Sequence, residues 1–423
     1  MKKILFYCQY HLGMGHLVRS VEIIRALAQE FEVCFVKAGT EVTGIELPAA
    51  VKVVTLPLLL SEQKQLKVAD PAQDLAEIKQ LRKSQLLKTF ADFQPDILMI
   101  EGYPFKKFQF EFEAIPLLEL AKSPQSNTQI VCSLRDIVMA QNYQDRAEVI
   151  NKTCDRLNRY FDLLLVHSDP DFYPLEESFP DIQNITCPIV YSGYVAQALS
   201  DTPTTAADDA VSFQRSEPML LVSVGGGQLG HDLLEASIAA APILKDLIPH
   251  HIHLFTGPFI PEAKFLQLQQ AASDQPNLTF RKYTSQLLKF MQQAELSISL
   301  GGYNTTMNIL STGVRSLLLP SDKDWEQKVR AEKLERLGFL QLLAPEDVEP
   351  QRLCQRIVAA LTEQRFVQPS AKIALNGAEQ TVALLQDFLD NKVPTPALNR
   401  LNHSQPPSQK PRQFQNLSMD RFV

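Results

Sequence analysis

Three stretches of the chain set glycines between an apolar run and an amphipathic one. They are Gly13-Met14-Gly15-His16, Gly225-Gly226-Gly227-Gln228-Leu229-Gly230 and Gly301-Gly302-Tyr303-Asn304-Thr305-Thr306. Glycine reaches positive φ at little cost and carries no Cβ, so backbone N–H groups can approach a ligand closely. Where such a turn opens a helix, unpaired N–H groups and the positive end of the helix dipole favour an anion. A diphosphate suits that chemistry. Each turn alone could be only a tight strand-to-helix connection, but three at the same relative place argue for a shared task. His16 follows the first turn, and its near-neutral pKa suits proton transfer or phosphate contact. His231 follows the second and stands within reach of the same anion.

Two familiar phosphate-binding loops are excluded. "GMGHLV" has valine at the third glycine position of a dinucleotide fingerprint, and no acidic residue closes "EVCFVKAG". No glycine is followed by Lys-Ser or Lys-Thr, so there is no P-loop.

The elements that must position these turns are legible as alternating strands and helices. "KILFYC", "EVCFVKA", "KVVTLP", "DILMIEG", "TQIVCSLRD", "LLLVHSD" and "IVYSGYV" read as strands, with helices near 17–29, 72–92, 110–121 and 142–159. The polar, proline-bearing stretch 200–217 reads as a linker. The pattern then restarts with "MLLVSVGGG", "HIHLFTGP", "LTFRKY", "LSISL" and "VRSLLLP". This is an α/β chain with two doubly wound, Rossmann-like domains, 1–199 and 218–390, and a polar tail at 391–423 expected to be disordered. Ligands of such sheets bind beyond the carboxyl ends of the strands, where the glycine turns fall.

Composition narrows the partners. The net charge of -7 argues against nucleic acid. Six scattered cysteines without ligand spacing read as buried free thiols of a reducing compartment. No apolar run approaches the ~18 residues of a spanning helix, and the N-terminus lacks the marks of a signal peptide. A cytoplasmic protein is expected.

"GMGHLVRSVEIIRAL", "VGGGQLGHDLL" and "GGYNTTMNILSTGVRSLLLP" resemble the glycine loops and nucleotide-sugar signature of GT-B glycosyltransferases, in the branch around family 28. With "VCSLRDI", "LLVHSDP", "SGYV" and "FTGPF", the chain most resembles a bacterial subgroup of predicted glycosyltransferases, over residues 1–390. The resemblance implies two domains facing a cleft, with the acceptor on the first and a nucleotide-diphosphate sugar, UDP-linked by expectation, as co-substrate on the second. It places Tyr283 and Thr284 at the base. It sets Gly13, Gly15, Gly226, Gly227, Gln228, Gly302, Asn304, Thr305 and Thr306 around the diphosphate, and Glu326 and Gln327 near the sugar. Asn308 stands where the family usually has a ribose-gripping carboxylate; otherwise it reads as an exposed helix residue.

Glycosyl transfer needs a base for the acceptor hydroxyl and stabilisation of the leaving diphosphate. His16, Glu101 and Asp136 all sit at strand ends and share candidacy as the base, with an Arg135–Asp136 ion pair as the plainer reading of the last. The Asp-x-Asp letters of "HSDPDF" fall outside the donor half, and no obligatory metal or other cofactor is expected. Inversion is implied by the resemblance. His250, His251 and His253 read as a solvated strand edge. The stretch 53–70, with Lys64 and Lys67, reads as a buried strand followed by a lysine-bearing helix, or else as a peripheral membrane contact for a lipid-linked acceptor. The aromatic run 102–120 is a candidate pocket lining. The acceptor is left as a glycan, lipid or metabolite. A nucleotide-sugar epimerase or hydrolase, or a non-catalytic binding protein, shares the same sequence features.

Overall fold

The structure is a computed structural model of the chain that describes residues 1–10, 15–39, 45–62, 65–70, 72–139, 145–198, 217–322, 324–362 and 372–391. The expected linker and disordered tail lie almost wholly outside these residues, as do Gly13 and Lys64.

In the first domain, β1 (Lys3–Gln9), α1 (Gly15–Leu27), β2 (Glu32–Ala38) and β3 (Lys52–Thr55) are followed by a two-stranded antiparallel hairpin, β4 (Leu59–Glu62) and β5 (Gln65–Val68). The chain continues through α2 (Leu75–Phe93), β6 (Ile97–Glu101), α3 (Glu111–Ala121), β7 (Gln129–Arg135), α4 (Arg146–Tyr160), β8 (Leu163–His167) and β9 (Ile189–Tyr191). The sheet is parallel, in the order β3-β2-β1-β6-β7-β8-β9. Its strands are near-continuous apolar runs because both faces are covered. One face packs on α2, α3 and α4 through Leu86, Leu117 and Leu157, the other on α1 through Val21 and Ile24.

The second domain runs β10 (Met219–Ser223), α5 (His231–Leu247), β11 (His251–Phe255), α6 (Glu262–Ala272), β12 (Leu278–Arg281), α7 (Leu287–Gln293), β13 (Leu296–Leu300) and α8 (Tyr303–Thr312). It ends with β14 (Ser316–Leu319), α9 (Trp325–Arg336), β15 (Gln341–Leu342) and α10 (Pro350–Thr362), and its parallel sheet has the order β12-β11-β10-β13-β14-β15. Strand order reverses between β1 and β6 in one sheet and between β10 and β13 in the other. Crevices at such switch points are where open α/β sheets bind ligands.

Four expectations are corrected here. The hairpin β4–β5 replaces the lysine-bearing helix, because the chain turns back after Ser61 to pair Leu59 with Val68. The strand before it, β3, is the largely exposed edge of its sheet, not a buried strand. β11 lies inside its sheet, not at the edge, so His250, His251 and His253 are all buried; His250 Nε2 meets Glu295 at 3.0 Å. The aromatic run packs inward, with Phe105 and Phe110 in the first-domain interior.

The last helix, α11 (Gly377–Leu389), returns to the first domain, although its sequence position grouped it with the second. It lays Ala378 and Leu385 against the α1 face. Burying a leucine of this kind contributes about 1.5–3 kcal/mol. The returning chain runs beside the outgoing one: Tyr194 N donates to Ala374 O at 2.8 Å, Gly377 N donates to Tyr194 O at 2.9 Å, and Val195 bridges Asn376. A Cβ on Gly377 would stand 2.4 Å from Gly193 O, so glycine lets the two segments touch. All six cysteines are buried and free.

Candidate active site at the domain cleft

β13 passes through Gly301-Gly302 straight into α8, whose first intrahelical bond is Thr306 N to Gly302 O at 2.9 Å. The N–H groups of Tyr303, Asn304 and Thr305 therefore precede any intrahelical acceptor. Thr305 Oγ1 lies 4.0 Å from the positions a Cβ would take on both Gly302 and Gly225, so two glycine loops converge on one hydroxyl. Asn304 Nδ2 reaches across to Gly15 O at 3.4 Å, which brings the first-domain loop to the same place. The Thr306 hydroxyl donates to Gly302 O at 2.9 Å and closes its own turn.

The 225–230 loop needs glycine for another reason. Gly227 sits at φ +88° and a Cβ there would lie 2.4 Å from Thr256 O; one on Gly257 would lie 2.4 Å from Gly225 O. Two backbone turns interlock there, with Gly226 beside Phe259 and Gln228 exposed. His231, expected at the anion, bonds Gly227 O within its own loop at 2.9 Å. Beyond β12, Tyr283 is 36% exposed, and the buried Thr284 accepts from Gln286 N at 3.0 Å.

On the first domain, β6 ends at Glu101, whose carboxylate is buried. It accepts from Arg19 Nη2 and Lys107 Nζ and lies 2.8 Å from His16 Nδ1. Burial works to raise the Glu101 pKa, but His16, Lys107 and Arg19 outweigh it and hold the group well below the carboxylate range. An ionised carboxylate only accepts, so His16 Nδ1 carries the proton and Nε2 is the basic nitrogen. Glu101 pulls the imidazole pKa up, while burial and the cations Lys107 and Arg135 push it down and prevail. His16 is thus neutral at physiological pH, with 32% of its side chain exposed.

Asp136, just past the end of β7, has a different fate. Arg330 of α9 takes both its oxygens, Nε to Oδ2 at 2.8 Å and Nη2 to Oδ1 at 2.9 Å, in a fully buried pair between domains. Arg135 approaches only to 3.9 Å. Burial acts to raise the Asp136 pKa, and Arg330 more than offsets it. As a candidate base Asp136 is corrected: its lone pairs are committed and it meets no solvent.

Asp324 caps α9 by accepting from Glu326 N at 3.1 Å and Gln327 N at 3.3 Å. Gln327 turns back on that cap, with Nε2 donating to Asp324 Oδ2 at 3.0 Å and Oε1 accepting from Ser321 N at 3.3 Å. Glu326 faces the first domain, where Lys106 takes one oxygen and Arg135 the other. Asn308 is 2% exposed, so it is not the surface helix residue of the plainer reading. Its Nδ2 donates to Gln197 Oε1 at 2.8 Å, while its Oδ1 is buried with no hydrogen-bond partner among the described residues.

Four residues around the candidate site escaped sequence reading: Arg19, Lys106 and Lys107 beside its carboxylates, and Arg330 at the adjoining interface. The Arg19 and Arg330 guanidinium groups flank the Tyr303 ring at 5.4 and 5.2 Å. Signals existed. Lys106-Lys107 is a charged pair inside an aromatic run five residues past Glu101, and Arg330 lies one turn beyond Glu326. No group of three or more His, Cys, Asp or Glu side chains among the described residues is arranged to hold a metal ion. No helix among them is long and apolar enough to cross a membrane.

Residues 220–385 match the glycosyltransferase family 28 C-terminal domain. An uncharacterized glycosyltransferase from Methanosarcina acetivorans is 22% identical over 358 residues, 80% of this chain and 82% of that one. The calicheamicin glycosyltransferase CalG4 shares the fold with a TM-score of 0.58 at 18% identity, covering 93% of this chain and all of its own. A Listeria monocytogenes protein described as a UDP-N-acetylglucosamine 2-epimerase does so at 0.61 and 11% identity, covering 93% and 98%. Two doubly wound domains meeting at paired switch points, with these likenesses, define a glycosyltransferase of the GT-B fold. Within that class it is the second domain, residues 220–385, that is similar to family 28.

Proposed function

We propose that the protein transfers a sugar from a nucleotide-diphosphate donor to a hydroxyl acceptor with inversion and without an obligatory metal. His16 is the base, and Glu101 fixes its tautomer and orientation. The observation that carries this reading is the 2.8 Å His16–Glu101 contact, one residue from the Gly15 carbonyl that meets Asn304 of the opposing glycine loop.

In this reading the diphosphate lies at the N-terminus of α8, beside the N–H groups of Tyr303–Thr305 and the Thr305 hydroxyl. The acceptor oxygen attacks the anomeric carbon, its proton passes to His16 Nε2, and the bond to the diphosphate breaks on the opposite face. Helix N–H groups take up the charge of the leaving group. Tyr283 stacks on the base, with UDP the favoured nucleotide. The unpartnered Asn308 Oδ1 is left to accept from a ribose hydroxyl.

The epimerase-like neighbour supports a second reading, conversion of the donor sugar without an acceptor. A thermal-shift and calorimetric screen of UDP-, GDP- and dTDP-sugars, with and without magnesium, tests the donor. Ligand binding to the folded state raises stability according to concentration over Kd. No stabilisation by any nucleotide sinks the proposal. A changed sugar recovered without acceptor favours the epimerase.

A further inference from the structure

We infer that Lys106 and Arg135 select a donor sugar that carries its own carboxylate, a hexuronate. The inference rests on the proposed donor site and deepens it.

Lys106 lies in the segment after β6 and Arg135 at the end of β7, and both converge on the carboxylate of Glu326. The two cations are therefore set at carboxylate-binding spacing, one on each oxygen. Glu326 belongs to the first turn of α9, next to Gln327, whose Oε1 lies 3.4 Å from where a Cβ on Gly301 would stand. In the proposed donor reading this is the sugar side of the α8 N-terminus. Lys106 and Arg135 are partly open, with 39% and 18% of their side chains exposed.

Selection requires Glu326 to turn to the hydroxyls of the bound sugar, which would release both cations from the pairing seen here. The neighbouring acids cannot replace it: Asp136 is held by Arg330, Glu101 by Arg19 and Lys107, and Asp324 by the α9 cap. Burial and Arg135 already depress the Lys106 pKa to about 7, and solvent at its exposed end screens part of that effect. A neutral hexose would leave Arg135 without a carboxylate partner and drive Lys106 toward its neutral form, which is costly in a partly desolvated cleft. A carboxylate on the sugar accepts from both, and Arg135 in particular can hold it through two N–H groups.

Calorimetry on the full chain tests this with matched pairs: UDP-glucose and UDP-glucuronate, UDP-galactose and UDP-galacturonate, GDP-mannose and GDP-mannuronate, each beside its free nucleoside diphosphate. The expected result is at least tenfold tighter binding of the uronate in one pair. Lys106→Met and Arg135→Gln should each bring that ratio close to one, leaving Kd for the free diphosphate within about twofold. Glu326→Gln separates ligand selection from folding: it should weaken the neutral sugar and strengthen the uronate, because the competing carboxylate is gone. Binding of free diphosphate with equal or weaker affinity for every uronate overturns this inference and leaves the donor reading standing. No binding of any nucleotide overturns both.

Discussion

Glu101 and Asp136 occupy matching places. Each sits at the carboxyl end of one of two neighbouring parallel strands, each is buried, and each has its pKa held down by cations. They differ in what lies on their open side. Glu101 accepts from His16, whose side chain is a third exposed, whereas Asp136 is sealed by an arginine from the other domain. Strand-end position therefore offers chemistry but does not assign it. The second partner decides whether a buried carboxylate serves a reaction or an interface.

That contrast can be broken in several ways. His16→Ala should lower turnover by about 10²–10⁴-fold, the range of a lost general base. Turnover is read as nucleoside diphosphate release from the nucleotide sugar that binds, and affinity for the free diphosphate should change far less. An equal loss in affinity would make His16 a phosphate ligand and dissolve the distinction. Glu101→Gln should follow it with a smaller loss of turnover.

Asp136→Asn should act on stability, costing about 3–5 kcal/mol because it strands a buried guanidinium. The Asp136→Leu/Arg330→Met pair should regain much of that in urea titrations. The folded pKa of Asp136 is depressed, so its contribution is fully present above about pH 4, the unfolded carboxylate value, and is lost as pH falls through the folded value. The Asn variant should flatten that acid limb; an unchanged limb would mean that the pair carries no linkage.

A subtler effect concerns Lys107→Met. Removing this cation lets His16 take a proton at higher pH, so the acid limb of kcat/KM should move upward. A limb that stays put would detach Lys107 from the dyad. The smallest effect belongs to Lys333→Ala. Its 2.5 Å pair with Glu177 also joins the domains, but with side chains 22% and 43% exposed it should contribute about 0.2–1 kcal/mol.

Sequence reading captured what is periodic and local. The parallel strands, the helices after them and the glycine turns follow from apolar runs and residue type, and Glu101 was reached because it closes one such run. Pairings across the cleft were not legible. Nothing in "SLRD" states that Asp136 meets a residue 194 positions away, or that Glu326 faces Lys106. The buried histidines of β11 failed for a related reason: alternation with polar residues signals an edge only if a neighbouring strand does not cover it. Gly227 resembles Gly302 in sequence, yet only the position of Thr256 O reveals that it serves backbone packing.

The return of α11 has a mechanical consequence. The polypeptide crosses between domains twice, and the crossings at 193–195 and 374–377 are stitched together by hydrogen bonds. A single tether would leave one half free to swivel. Here the two segments are held to each other by backbone hydrogen bonds, so neither can shift without the other. Because the returning segment ends in α11, which packs on α1, the end of the second domain is anchored on the helix that carries His16 at its start.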